Sequence, residues 1–62
     1  MTDQTINEVI EELEALVFYF EQRQERAEIA TKLDVADAFG AAADNIFIVK
    51  ERISNLRKAK LN

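Results

Sequence analysis

The sequence predicts an all-α fold: two long amphipathic helices folded into an antiparallel hairpin, which pairs with a second copy as a four-helix bundle. Three observations lead there. Apolar residues recur at intervals of three and four in two separate stretches, the two stripes are out of phase, and the chain holds no Pro and only one Gly, Gly40. Intervals of three and four place side chains on one face of an α-helix.

The first stripe is Ile6, Val9, Ile10, Leu13, Leu16, Val17 and Phe20. It weakens at Arg23 and Gln24 and resumes at Ala27 and Ala30. Thr5 is a candidate N-cap, and Glu8 three residues later completes a Thr-x-x-Glu capping box. Glu8, Glu11 and Glu12 then occupy the first two turns, where the helix dipole favours negative charge. The expected helix covers residues 5–30.

The second stripe is Phe39, Ala42, Ala43, Ile46, Val49, Ile53 and Leu56. Asp34 is the expected cap, Asp37 lies in the first turn, and Arg57, Lys58 and Lys60 stand at the end that suits cations. The expected helix covers residues 35–58. Gly40 within it costs about 1 kcal/mol relative to Ala; it is read either as a place of close helix approach or as a tolerated weak spot.

No Gly or Pro marks the connection, so one continuous helix is the rival reading. Phase argues for a turn at residues 31–34. Extending the row Ile6, Leu13, Phe20, Ala27 by sevens reaches Asp34, Ala41 and Ile48, whereas the second stripe centres on Phe39, Ile46 and Ile53. A short connection between helices makes them antiparallel neighbours. Charge agrees: residues 1–31 hold eight acids and two bases, residues 32–62 four acids and six bases. Folding sets Glu8, Glu11, Glu12 and Glu14 beside the basic end of the second helix, and such pairs help select orientation even where each contributes little.

Sixty-two residues make one small domain, and domains of this size need a staple. There is no Cys for a disulfide and no His for a zinc site, which leaves oligomerisation. Two helices enclose no interior. Phe18 and Tyr19 lie off the first stripe, Phe47 and Ile48 off the second, and contiguous exposed apolar surface marks an interface. These four are the candidate oligomer or partner contacts. A homodimer of hairpins is the simplest arrangement; a tetramer, or a helix supplied by a partner, satisfies the same need.

Little in the chain points to catalysis. General acid–base and nucleophilic chemistry draws most often on His, Cys or an activated Ser. The one Ser, Ser54, stands in a charged helical stretch. The glutamates at 8, 11, 12 and 14 have helical spacing but lack the His that carboxylate metal sites in bundles use, so they read as a solvated face. No enzyme activity, metal or cofactor is expected. Arg23 and Arg26, in the polar segment before the turn, are candidate partner contacts, since Arg is enriched in interfaces. Arg52, Arg57, Lys58 and Lys60 form a basic patch whose alternative use is contact with nucleic-acid phosphates. A net charge of −4 and a pI near 4.6 weigh against it.

Met1–Glu14 is acidic where a secretory signal would be basic and then apolar, and no apolar run approaches the roughly 20 residues of a membrane span. The expectation is a cytoplasmic protein with no membrane partner. In size, in its Met1–Asn7 opening, in lacking Cys and His, and in the Asp34–Asn45 stretch, the chain resembles the short acidic helical accessory proteins of the early regions of lambda-like bacteriophages. That resemblance implies the cytoplasm of an infected bacterium. It also implies a regulatory role, in host physiology or the choice between lysis and lysogeny, through protein partners.

Overall fold

The computed structural model describes residues 2–61 of the chain, with side chains as far as 58. Helix α1 runs Asp3–Ile29 and helix α2 runs Leu33–Leu61. At 1.5 Å per residue each spans about 40 Å, and the molecule measures 47 × 15 × 12 Å. The two helices pack antiparallel along their length, so the predicted hairpin is the fold.

The ends differ from the sequence expectation in ways that trace to local hydrogen bonding. α1 starts at Asp3 because Thr2, not Thr5, is its cap: the Thr2 hydroxyl oxygen accepts from the Thr5 amide at 3.2 Å and sits 2.8 Å from the Thr5 hydroxyl. Thr5 thus occupies the third helical position and supplies the donor. α2 starts at Leu33 rather than residue 35. Asp34 lies inside the first turn, where its Oδ1 accepts from the Val35 amide at 2.9 Å. From there it still complements the helix dipole and satisfies one free N–H. The end of α2 continues to Leu61, past the expected residue 58.

The turn is tighter than expected and is closed by backbone alone. Ala30 ends α1 with φ −81° and ψ 3°, and Thr31 follows with φ 58°. The Lys32 amide donates to the Ala27 carbonyl at 2.8 Å, and the Thr31 amide to the Glu28 carbonyl at 3.0 Å. This pair of bonds is the Schellman arrangement, which places one residue in the left-handed region. Gly is the usual occupant; here a β-branched Thr takes the position, its hydroxyl donating to the Ala30 carbonyl at 2.6 Å.

The helices meet along a seam of seven-residue period. α1 contributes the rows Ile6, Leu13, Phe20, Ala27 and Ile10, Val17, Gln24; α2 contributes Ala36, Ala43, Lys50, Arg57 and Phe39, Ile46, Ile53. All of these are buried or half-buried. Near the turn, small residues let the backbones approach, and Phe20 packs on Phe39 with ring centroids 5.9 Å apart. Gly40 is a place of close approach: a Cβ there would lie 2.8 Å from the Gln24 side-chain nitrogen. At the far end, the Arg57 guanidinium donates to the Asn7 side-chain oxygen.

This seam corrects part of the expected core. Leu16, Val49 and Leu56, counted in the apolar stripes, stand exposed. They lie one position outside the two inner rows, whereas Lys50 and Arg57 take inner positions. The expected glutamate–cation pairing between helices is absent among the described residues; the one ion pair there joins Lys50 to Glu51, at 3.8 Å.

Candidate association surfaces

Among the described residues only Ile6, Ala27, Ala36 and Ala43 are buried, three of them alanines. No large side chain among them is fully buried. Ten large apolar residues are instead 39–77% exposed. The physical reason is geometric: two cylinders touching along a line cover one narrow strip of each, and everything flanking that strip faces water. What the molecule offers chemically is therefore surface, and the two sides of the seam offer different surfaces.

One side carries a shallow groove of about 260 Å³, lined by Glu14, Val17, Phe18, Glu21, Phe47 and Lys50. Phe18 and Phe47 come together here from opposite helices. Lys50 lies over the Phe47 ring, its Nζ 4.7 Å from the centroid, and its side chain is 20% exposed. Aliphatic stems that cover apolar surface while the ammonium stays hydrated are typical of lysine. Glu14, Glu21 and Glu28 form the α1 edge of this side, so its apolar centre has an acidic rim.

The other side is apolar. Because Gln24 faces Gly40 and Asn7 faces Arg57, each step forward on α1 is matched by a step back on α2. Leu16 is thereby level with Val49, Val9 with Leu56, and Arg23 with Ala42. With Val35 these form a continuous flank beside the seam. Arg23 is its single charged member. Its Nε donates to the Tyr19 hydroxyl at 3.2 Å, and its guanidinium lies 5.3 Å from the Tyr19 ring centroid.

The four aromatic and aliphatic candidates are thus divided. Phe18 and Phe47 share the groove, Tyr19 sits with Arg23 beside the apolar flank, and Ile48 stands on the outward row of α2. All four are exposed. Of the cationic candidates, Arg26, Arg52 and Lys58 are exposed, Arg23 is held on Tyr19, and Arg57 is half-buried against Asn7. The Lys60 side chain lies outside the described residues. The sequence carries a signal for the apolar flank: Val35, Ala42, Val49 and Leu56 recur at strict sevens, a second row parallel to Phe39, Ile46 and Ile53, and the expected stripe joined the last three of them to the core.

Among the described residues no three acidic side chains converge to hold a metal ion, and no helix is long and apolar enough to cross a membrane. Comparison with protein-family models, curated proteins and solved structures finds no match.

Proposed function

We propose that this chain is a non-enzymatic association module: a helical hairpin that pairs with itself and binds a protein partner as an adaptor or regulator. The observation that carries the reading is the imbalance between four buried residues and ten large exposed apolar ones. A monomer of this kind leaves most of its apolar surface in water, at about 25 cal/mol per Å² of burial forgone. Association supplies that burial. The chemistry of the exposed side chains agrees, since aromatic residues and Arg are the residue types that anchor interfaces. Bacteriophage regulation, implied by the resemblance above, belongs to the same proposal as its biological setting.

Two measurements test it. Light scattering across a concentration series should give a mass at least twice that of the chain, and a folded monomer throughout removes self-association. The immobilised chain should retain a defined protein at saturable stoichiometry, with retention lost in Phe18→Ala or Arg26→Ala. Retention of duplex DNA instead, falling steeply with salt, would transfer the role to Arg52 and Lys58.

A further inference from the structure

We infer that the second copy of this chain seats on the apolar flank formed by Leu16, Val35, Val49 and Leu56, and not on the side that carries Phe18 and Phe47. The inference rests on the self-association proposed above and names the face that performs it. Area is the first argument. A compact monomer of 7.1 kDa exposes about 4,100 Å² by the usual scaling of surface with mass. The hairpin exposes 4796 Å². The excess, about 700 Å², is close to the roughly 800 Å² that each partner contributes to a standard interface.

Charge decides between the faces. A twofold dimer brings a surface against its own copy. On the groove side that contact would gather both copies of the Glu14, Glu21 and Glu28 row into one interface, and like charges crowded at an interface are strongly unfavourable. The apolar flank meets itself with a single charge per copy, Arg23, whose guanidinium is engaged by Tyr19 and stands exposed. Periodicity adds an independent argument. Helices with apolar residues on two inner rows alone form a two-stranded seam, while helices with a third adjacent apolar row line the core of a bundle. In α1 that row holds Val9 and Leu16; in α2 it holds Val35, Ala42, Val49 and Leu56. Pairing through it encloses an interior between four helices and leaves the acid-rimmed groove open on each outer side.

The test is mass in solution for wild type, Val49→Glu and Phe18→Glu, with helicity followed by circular dichroism. A charge placed without a partner in the buried flank should weaken dimerisation at least about 100-fold, while Phe18→Glu leaves the dimer intact. A dimer that survives Val49→Glu and is lost in Phe18→Glu overturns the assignment of the face but not self-association. A wild type that stays a folded monomer at every concentration overturns both. A second measurement, independent of whether the dissociated hairpin stays folded, uses the absence of native cysteine. In single-cysteine chains, the Val49→Cys thiol should react with a maleimide far more slowly than the Phe18→Cys thiol at high protein concentration, and protection should vanish on dilution. Equal rates at both sites refute the inference.

Discussion

Replacing Thr31 by Gly should stabilise the hairpin, and the size of the effect follows from the turn. Thr31 holds φ 58°, a conformation in which an L-residue other than Gly crowds its Cβ against the following carbonyl at a cost of about 1–2 kcal/mol. Glycine removes that cost. It adds conformational freedom to the unfolded chain, which takes back about 0.4–1 kcal/mol. The Thr31 hydroxyl bond to the Ala30 carbonyl is also lost, but it is exposed and exchanges with water. The two Schellman bonds are backbone bonds and remain. The net expectation is a gain of about 0.5–1 kcal/mol, a rise of several degrees in Tm for a domain of this size. Thermal unfolding followed by circular dichroism measures it. Wild type and variant must be matched in concentration, because association makes Tm concentration-dependent. Thr31→Val, which keeps the branched Cβ and loses the hydroxyl, should fall below wild type. If Thr31→Gly is no more stable than wild type, the left-handed turn is not a strained point.

Three further outcomes follow from the packing. Thr2→Ala should lose the cap of α1 at a cost of about 1 kcal/mol, with faster hydrogen exchange at the Thr5 amide; Thr5→Ala, which keeps that amide, should lose less. Gly40→Leu forces a large side chain into the space taken by Gln24 and should cost about 1–3 kcal/mol in urea unfolding. Restoration by Gln24→Ala in the same chain would show that the two positions share that space. Asn7→Ala and Arg57→Ala should each loosen the open end of the hairpin, and a double-mutant cycle should return a coupling of about 0.5–1 kcal/mol.

The all-helical fold, the turn and the antiparallel pairing were legible because they rest on periodicity, and the phase slip between Ala27 and Phe39 has no explanation within one straight helix. The ends were less legible. Thr2 and Thr5 are both capping residues, and the choice between them depends on which amide the hydroxyl meets. The turn carried no Gly, so nothing in its composition marked Thr31 as the left-handed residue. The inner rows were half legible. Leu16, Val49 and Leu56 resemble core residues by type, and Lys50 and Arg57 resemble surface residues, yet position relative to the seam reverses both. Long cations can hold inner positions because their stems pack while their heads reach water. The candidate contacts at Phe18, Tyr19, Phe47 and Ile48 were all exposed as their spacing required. Their division among separate faces depends on which α2 residue stands level with each, and that is fixed by pairing across the seam.

The fit of Gln24 into the space above Gly40 also acts as a register lock. Sliding α2 by one seven-residue period would keep every apolar row facing the seam, so hydrophobic pattern alone cannot prevent it. Such a slide would put Leu33 or Phe47 where Gly40 stands, and the Gln24 side chain would have no space. It would also separate Arg57 from Asn7. A single polar residue on a helical seam can fix alignment at some expense of stability. Here a glutamine, a glycine and an arginine together specify one alignment for a pair of helices whose packing is otherwise permissive.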